Sequence, residues 1–307
     1  MKINVVSVNI SEKKGTIKVP VEHIELTPNG VQGDAHGGKW HRQVSLLGTE
    51  SFRKFEKIAG RPLKYGEFAE NITTEGIILY ETHPLDRFTI GDAVLEVTQI
   101  GKKCHGDSCA IYREVGNCVM PKEGIFCRVL KPGTVKAGDE MTYQPKVFRI
   151  KVITLSDRAA SGEYEDRSGP LAVQILKEYF TGLGWKAEIE RSVIPDEEEL
   201  LTQEIDGAKN ADIIITTGGT GIGPRDITVD IVKPMLDKEI PGIMEMIRQK
   251  YGSEKPNALL SRGIAGVKGM SLIYTLPGSV RAVEEYLSVI TPTIRHSFYM
   301  LNGLDLH

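Results

Sequence analysis

A glycine-rich segment that follows an apolar run constrains this chain more than any other stretch of its sequence. Residues 216–230 read Thr-Thr-Gly-Gly-Thr-Gly-Ile-Gly-Pro-Arg-Asp-Ile-Thr-Val-Asp, directly after the isoleucine-rich residues 211–215. The apolar run predicts a buried parallel strand. The residues after the glycines predict a helix with Thr228 as its N-cap and Asp230 in its first turn. A strand, a glycine loop and a helix N-terminus together expose backbone N–H groups to an anion such as phosphate.

The charged residues of this segment indicate that phosphate is handled together with a metal ion. The segment has neither the lysine of a P-loop nor the spacing of a dinucleotide-binding fingerprint. Its charges are those of Arg225, Asp226 and Asp230, and a carboxylate is favourable beside phosphate when Mg²⁺ bridges the two. The alternative is a glycine-rich turn whose two aspartates stabilise a helix dipole. Glycine permits positive φ angles and close approach of a ligand at four positions, namely Gly218, Gly219, Gly221 and Gly223.

The composition limits the classes of protein that this chain can belong to. A length of 307 residues predicts about two domains. The net charge of −3 argues against a protein built mainly to hold nucleic acid. We find no apolar run near the ~20 residues that span a bilayer, and the N-terminal residues 1–8 alternate like a strand and lack a signal-peptide cleavage region. We therefore expect a cytoplasmic protein without nucleic-acid or membrane partners.

The first half of the chain predicts a mostly-β domain. A long glycine-rich loop is expected at residues 30–38 and a helix at 50–58. Many short strands with few long helices are typical of a β-barrel or a curled sheet. The strands are predicted at residues 3–10, 16–21, 40–47, 88–90, 93–99, 124–130 and 134–135.

The four cysteines all lie in one short segment, from Cys104 to Cys127. Cys104 follows two lysines and precedes His105, a setting that favours a reactive or cofactor-ligating thiolate. Zinc ligation by Cys104, His105, Cys109 and Cys118 is an alternative, although its spacing matches usual zinc sites poorly, and an inert buried thiol is another. Cys127 lies in an apolar strand and is predicted to be core.

A second polar group of the first half surrounds the predicted loop. It comprises Asp34, His36, His41 and Arg42. Such residues are either ligands or hydrogen-bonding residues of the loop, and the sequence leaves both roles open.

The second half alternates strands and helices from about residue 147, which predicts an α/β domain with a mainly parallel sheet. Ligands bind such sheets at the carboxyl ends of the strands. Four loops are expected at that edge, at residues 155–162, 193–197, 218–226 and 276–279. Their convergence predicts a single cleft, although Asp196 is alternatively the N-cap of a helix over residues 197–205.

The first half resembles a MOSC domain over about residues 1–143. The resemblance implies a β-barrel-like fold associated with molybdenum cofactor, and it places the family's cysteine at Cys104. This chain has Lys102 and Lys103 where relatives often carry arginine and proline, so both Cys104 and Cys109 stay open as the acting thiol. The segments that carry the resemblance are Gly33–Gly38, Arg42–Ser45, Gly66–Gly76, Val97–Cys104, Gly124–Leu130 and Gly138–Asp139.

The second half resembles the MogA/MoaB-type molybdopterin-binding fold, which is also the G domain of gephyrin and plant Cnx proteins. The resemblance runs from residue 148 to 300 and implies adenylyl transfer from Mg-ATP to molybdopterin. It also implies a trimer. The segments that carry it are Ser156–Arg158, Glu165–Gly169, Ile194–Glu197, Thr217–Asp230, Leu260–Arg262 and Leu276–Ser279.

This second resemblance assigns roles to individual residues. Asp196 and Asp226 would be the catalytic carboxylates, and Asp226 and Asp230 the contacts to Mg²⁺. Arg158, Arg225 and Arg262 are candidates for phosphate contacts, with structural ion pairs as the alternative. Binding of phosphate or pterin would fall to Ser156, Asp157, Gly218, Gly219, Thr220, Gly221, Ser261, Pro277, Gly278 and Ser279.

These predictions combine into a two-domain enzyme of molybdenum-cofactor biosynthesis. We expect a MOSC-like β-barrel over residues 1–146 and a MogA/MoaB-like adenylyltransferase domain over residues 147–307. The first domain would bind or modify the cofactor through Cys104, and molybdate-insertion proteins or molybdoenzymes are the expected protein partners. Two alternatives stay open: a molybdopterin carrier or scaffold without catalysis, and a Cys104-dependent sulfur transferase or molybdenum reductase.

Overall fold

The computed structural model describes residues 2–103 and 118–304. Contacts within the chain divide it into two compact units, whose main segments are Met1–Lys146 and Val147–Asn302. We call them the first unit and the second unit. Among the described residues, no helix combines the length and the apolar character that a membrane crossing requires.

The first unit is built around a closed barrel of seven strands. The barrel order is β1, β6, β5, β9, β8, β7 and β11, and pairing of Ile3 with Met141 closes it. The strands are β1 (Ile3–Ile10), β2 (Val19–Val21), β3 (His23–Thr27), β4 (Gly30–Val31), β5 (Val44–Gly48), β6 (Ile72–Glu75), β7 (Arg87–Ile90), β8 (Ala93–Ile100), β9 (Ile125–Lys131), β10 (Gly133–Lys136) and β11 (Glu140–Gln144), and the helices are α1 (Thr49–Ala59) and α2 (Met120–Glu123).

Alternation of apolar and polar residues places the barrel core. Side chains such as Val5, Val44, Ile72 and Leu95 are fully buried inside it, as expected when a small barrel fills its interior with side chains. A smaller sheet of β10, β3 and β4 and the helix α1 complete the unit. The prediction of a mostly-β barrel is therefore confirmed for the described residues.

Several strands of the first unit were not predicted from the sequence because most of their residues are polar. Strand β11 was not predicted, and its only buried side chain is Met141. Strands β3 and β6 were also missed, and β2 is shorter than predicted. Such strands are specified by their pairing partners more than by their own residues.

The second unit holds a six-stranded mixed sheet in the order β13, β12, β14, β17, β16, β15. The first four strands are parallel to one another, whereas β16 runs antiparallel to β17 and β15 antiparallel to β16. The expectation of a mainly parallel sheet is thus correct only in part. The strands are β12 (Val147–Leu155), β13 (Lys186–Ile194), β14 (Ile213–Thr217), β15 (Lys238–Glu239), β16 (Ala265–Lys268) and β17 (Ser271–Leu276).

Helices pack against this sheet and carry its apolar core. Phe148 of β12 stacks on Trp185 and Phe298, with ring centroids 4.5 and 4.7 Å apart. The helices are α3 (Asp157–Ala160), α4 (Ser168–Gly182), α5 (Glu198–Gly207), α6 (Thr228–Val232), α7 (Pro241–Gly252) and α8 (Val280–Leu301), with short 3₁₀ turns at Lys233–Met235 and Pro256–Leu260.

The order of the parallel strands brings the predicted loops together. Strand β12 lies between β13 and β14, and β17 follows β14. The chain passes from β12 to β13 on one side of β12 and then returns to β14 on the other side. Sheets of this kind bind ligands in the crevice where the strand order reverses in this way. The loops after these four strands therefore lie at one edge of the sheet.

Candidate active site

The glycine loop is held in place by contacts that only glycine allows. Gly218 has φ +104°, and a Cβ at this position would lie 2.2 Å from the carbonyl oxygen of Leu155. Gly219 has φ +63°, and a Cβ there would lie 2.3 Å from Oγ1 of Thr228. Thr228 was expected to cap helix α6, but Ile227 is the N-cap residue. The Thr228 hydroxyl instead donates a 2.8 Å hydrogen bond to the Gly218 carbonyl, which fastens the loop to the helix.

The folded loop leaves a row of backbone donors without partners. Gly218 N–H donates to the Leu276 carbonyl at 2.9 Å, so it shapes the loop and is not available to a ligand. The next four N–H groups, of residues 219–222, make no hydrogen bond within the described part of the chain. Consecutive free N–H groups form a concavity that attracts anions. The N–H groups available to an anion therefore belong to residues 219–222, one residue later than the predicted contacts at residues 218–221.

Asp226 turns back over the loop. Its Oδ2 accepts a 2.8 Å hydrogen bond from Gly223 N–H. Positive φ angles were also expected at Gly221 and Gly223, but neither residue has one. A Cβ at either residue would lie 2.6 or 2.9 Å from Asp226 Oδ2, so these glycines provide room for the carboxylate. Oδ1 of Asp226 makes no hydrogen bond among the described residues, which leaves it available to a ligand.

Asp157 and Asp196 hold each other at the ends of β12 and β13. Asp157 N–H donates to Asp196 Oδ2 at 3.1 Å, and Asp196 N–H donates to Asp157 Oδ1 at 3.0 Å. Asp196 is not the helix cap that the sequence allowed, because Glu197 occupies that position and no side chain caps the helix. Burial and the nearby charges of Asp157 and Asp226 raise the pKa of Asp196.

The three arginines differ in their partners. Arg225 forms a bidentate pair with Asp157, with Nη2 at 2.7 Å from both carboxylate oxygens, and this pair lowers the pKa of Asp157. Arg262 forms a bidentate pair with Asp230 at 2.7 and 2.9 Å, and its hydrogen bonds lower the pKa of that carboxylate. Arg158 has no carboxylate partner within the described residues, and its guanidinium lies 5.6 Å from the Tyr164 ring centre.

Two cavities adjoin at the glycine loop. The larger, of about 540 Å³, is lined by the loop, helices α7 and α8 and the segment between β17 and α8. The smaller, of about 330 Å³, contains Asp157, Arg158, Asp196 and Arg225. Both are lined by Gly219, Gly223 and Asp226. A molecule in one cavity would therefore meet a molecule in the other beside the carboxylate of Asp226. Asp230 lines neither of them.

The remaining predicted binding residues divide between these cavities. Ser261, Pro277, Gly278 and Ser279 line the larger cavity. Ser279 caps helix α8 by accepting from Ala282 N–H at 3.2 Å, and the Ser261 hydroxyl accepts from the Tyr286 hydroxyl at 2.8 Å. In the smaller cavity, Ser156 caps the short helix α3 by accepting from Ala159 N–H at 3.3 Å. Thr220 is buried and lines the larger cavity.

Sequence reasoning missed several residues of the larger cavity. Lys255 and Arg281 both contact Oε1 of Glu285, at 3.4 and 2.7 Å, and Tyr251 lies on the same wall. The four-residue spacing of Arg281 and Glu285 on a predicted helix was the one available signal, but such pairs are common on helix surfaces. Only the packing of α7 and α8 shows that this pair faces a cavity.

Comparison with known proteins identifies the second unit. The family described as a probable molybdopterin binding domain matches residues 151–296. A molybdopterin adenylyltransferase of Pyrococcus furiosus is 38% identical over 50% of this chain and 90% of the relative's length. The Escherichia coli K12 molybdopterin adenylyltransferase is 36% identical over 46% of this chain and 72% of its own length. The chain belongs to the molybdopterin adenylyltransferase family.

Further comparisons concern both halves. The MOSC domain family matches residues 32–142, so a MOSC domain precedes the adenylyltransferase-family unit. Gephyrin of Dictyostelium discoideum is 39% identical over 50% of this chain, which spans only 22% of gephyrin. A tungsten cofactor synthesizing protein MoaB from Pyrococcus furiosus superposes with a TM-score of 0.46, at 35% identity, over 52% of this chain and 98% of that one.

The adenylyltransferase-family unit offers donors that suit Mg²⁺ shared with a substrate. Among the described residues, no group of three or more His, Cys, Asp or Glu could hold a metal ion alone. Asp196 and Asp226 each have one carboxylate oxygen fixed by a backbone N–H, and the other oxygen makes no hydrogen bond with the residues that the structure describes. Mg²⁺ is usually bound by one or two carboxylates together with substrate phosphates. These two residues fit that pattern, whereas both oxygens of Asp230 are occupied by Arg262.

The MOSC domain contains a buried polar network instead of an open loop of ligands. Asp34 is 8% exposed and forms an ion pair with the buried Lys18. It also accepts hydrogen bonds from Ser11 N–H, Asn71 Nδ2 and His36 N–H, at 3.1, 3.2 and 2.9 Å. Of the two roles that the sequence left open for Asp34, the structure places it in hydrogen bonding within the unit.

Of the four cysteines, Cys118 and Cys127 belong to the described residues. Cys104, the predicted catalytic thiol, lies outside the described residues, as do His105 and Cys109. Cys127 is fully buried in β9, and burial raises the pKa of its thiol. The prediction that Cys127 is a core residue is therefore confirmed.

Proposed function

We propose that the second unit transfers the adenylyl group of ATP to molybdopterin. The observation that carries the proposal is the pair of cavities that share Gly219, Gly223 and Asp226. In this reaction the terminal phosphate of molybdopterin attacks the α-phosphorus of ATP, a P–O bond forms, and the bond to pyrophosphate breaks. Two polyanions must therefore meet, and the free N–H groups of residues 219–222 supply fixed donors at their meeting point.

The smaller cavity is assigned to the ATP triphosphate. Its open carboxylate oxygens, on Asp196 and Asp226, are the groups that would hold Mg²⁺. When bound, Mg²⁺ neutralises phosphate charge and stabilises the negative charge that develops during transfer. Arg158 lines the same cavity, and no carboxylate of the described residues holds its guanidinium, so we assign it to a phosphate contact.

The larger cavity is assigned to molybdopterin. The N-terminus of the 22-residue helix α8, capped by Ser279, lies at its wall and favours a phosphate there. Ser261, Pro277 and Gly278 line the pterin side. Catalysis in this arrangement consists mainly of positioning and charge stabilisation, since the protein's side chains form no covalent bond with either substrate.

The proposal is tested by turnover of the intact protein with molybdopterin, Mg²⁺ and ATP. We expect wild type to form adenylylated molybdopterin, and Asp226→Asn to lose at least about 100-fold in rate, because an electrostatic contact to the transferring group is removed. Asp206→Asn is the matched control. Asp206 is an exposed aspartate of the same unit, paired with Lys268 at 2.6 Å and lining neither cavity.

The carrier alternative corresponds to a distinct result of this assay. Tight pterin binding without adenylylation by wild type would contradict the proposal and favour a carrier or scaffold. Full activity of Asp226→Asn would remove the carboxylate from the mechanism.

For the MOSC domain, the role of Cys104 in binding or modifying the cofactor stays a prediction, as do a cytoplasmic location and the molybdate-insertion or molybdoenzyme partners. The trimer implied by the family resemblance is also retained, and light scattering of the intact chain measures it.

A further inference from the structure

Asp157 stands apart from the other carboxylates of the smaller cavity because both of its oxygens are occupied. Oδ1 accepts from Asp196 N–H at 3.0 Å and from Arg225 Nη2 at 2.7 Å. Oδ2 accepts from Arg225 Nε at 3.0 Å and Nη2 at 2.7 Å. An ionised carboxylate offers about four acceptor sites, and these contacts use them. Asp157 is therefore poorly suited to hold the cofactor or a metal itself.

The same contacts join three loops. Asp157 follows β12, Asp196 follows β13, and Arg225 belongs to the glycine loop after β14. The reciprocal hydrogen bonds between Asp157 and Asp196 fix the backbone and one carboxylate oxygen of Asp196. Arg225 then ties this pair to the loop that carries Asp226. Asp157 is thus the common partner through which Asp196 and the glycine loop are held together.

Stability alone gives no reason for this arrangement. The Asp157 and Arg225 side chains are 47% and 61% exposed, and exposed ion pairs contribute little to the free energy of unfolding. A bidentate pair does, however, fix geometry well. Residues that orient metal ligands in this indirect way typically change metal affinity or activity by about 10–100-fold when they are substituted.

We propose that Asp157 is a positioning residue. Held by its bidentate ion pair with Arg225, it orients Asp196 toward the Mg²⁺ of bound ATP. The inference rests on the proposed function of the second unit and changes the role of Asp157 from ligand contact to support. Charge and position make different predictions for the two partners. Through charge alone, loss of Asp157 would weaken cation binding, and loss of the Arg225 cation would strengthen it. Through position, loss of either partner weakens it.

The experiment measures Mn²⁺ binding to the full-length protein in the presence of a non-hydrolysable ATP analogue, by the electron paramagnetic resonance signal of free Mn²⁺. We expect Asp157→Asn and Arg225→Gln each to weaken Mn²⁺ binding by about 10–100-fold. The double variant restores the net charge of the cavity. Its Mn²⁺ affinity is expected to stay about as low as that of either single variant, because all three variants lose the same Asp157–Arg225 ion pair. Asp206→Asn is expected to bind like wild type, and the unfolding temperatures of all variants should agree closely.

Several results would overturn the positioning role. These are unchanged Mn²⁺ binding by Asp157→Asn, tighter binding by Arg225→Gln, recovery of wild-type binding in the double variant, or absence of Mn²⁺ binding by wild type. The proposed function is judged separately by adenylylated pterin. If Mn²⁺ binding follows the expected pattern but no adenylylated pterin forms, the positioning role of Asp157 stands and the adenylyl-transfer proposal is wrong.

Discussion

Three aspartates of the second unit have different electrostatic environments because their partners differ. Bidentate contact with Arg225 holds the pKa of Asp157 low, whereas burial and neighbouring negative charge raise the pKa of Asp196. Asp226 keeps one oxygen open beside the glycine loop. The sequence alone shows three aspartates after three predicted strands. Among the described residues, their contacts distinguish Asp157, whose two oxygens are both occupied, from Asp196 and Asp226, each with one open oxygen.

Glu70 of the MOSC domain provides a residue-scale test of stability against pH. It is fully buried, and burial raises its pKa to about 7 although Gly66 N–H and Thr73 Oγ1 donate to its Oε1. Between the unfolded pKa near 4.5 and the folded value, the folded state keeps a proton that the unfolded state releases. Stability of the first unit should therefore fall as pH rises through this window, by about 3 kcal/mol in all.

Urea unfolding of the intact protein at pH 5 and pH 8, followed by a signal from the first unit, measures this effect. The substitution Glu70→Gln should abolish most of the pH dependence, because the amide cannot ionise. The exposed Glu140, whose side chain is 62% exposed, offers the control Glu140→Gln, which should keep the wild-type slope. Equal slopes for wild type and Glu70→Gln would contradict the assignment.

At the scale of elements, the glycine loop depends on its neighbours as much as on its own residues. Gly218 lies against the end of β12, and Gly278, after β17, approaches it so closely that a Cβ at Gly278 would lie 3.2 Å from the Gly218 Cα. Thr228 connects the loop to helix α6. The loop is therefore a packed part of the sheet edge, which explains how its free N–H groups keep a fixed direction.

Substitution of Gly218 tests this packing. Gly218→Ala should destabilise the second unit by on the order of 2 kcal/mol or more, because φ is +104° and the new methyl would meet the Leu155 carbonyl oxygen at 2.2 Å. It should also reduce adenylylation. At Gly182, the last residue of helix α4, no atom lies within 4 Å of an added Cβ and φ is not positive.

Gly182→Ala is therefore the matched control. It should leave adenylylation unchanged and stabilise the protein by up to about 1 kcal/mol. Thermal unfolding and turnover of both variants provide the measurement. If Gly218→Ala unfolds and turns over like Gly182→Ala, the packing account of the loop is wrong.

For the whole molecule, we predict that adenylyl transfer depends on the second unit alone. Every residue assigned to adenylyl transfer belongs to the second unit, whereas Cys104 belongs to the segment matched by the MOSC domain family. We expect Cys104→Ser in the full-length protein to adenylylate molybdopterin at the wild-type rate, within about twofold. Steady-state turnover at saturating Mg-ATP checks this. A loss of tenfold or more would show that the thiol participates in the adenylyl-transfer step.

The sequence alone determined the number of domains expected, the alternation of strands and helices in the second half and the loops at the sheet edge. These features are local: apolar runs, glycines and helix starts leave their signal in a few adjacent residues. The strand predicted from the isoleucine-rich residues 211–215 occurs as β14. Strands β15 and β16 were missed, because such short strands are specified by pairing: β16 pairs with β17 across the turn at Gly269, and β15 pairs with β16.

Only the tertiary structure shows what each predicted site residue contacts. Asp196 was predicted either to cap a helix or to act in the site, and its bond to Asp157, 39 positions away, decides against the cap. Asp230 was predicted to contact Mg²⁺, and Arg262, 32 positions away, occupies both of its oxygens. Hydrogen bonds between residues so distant in sequence depend on strand order and loop packing. A local pattern contains no information about either, so the contacts of these carboxylates follow from the fold.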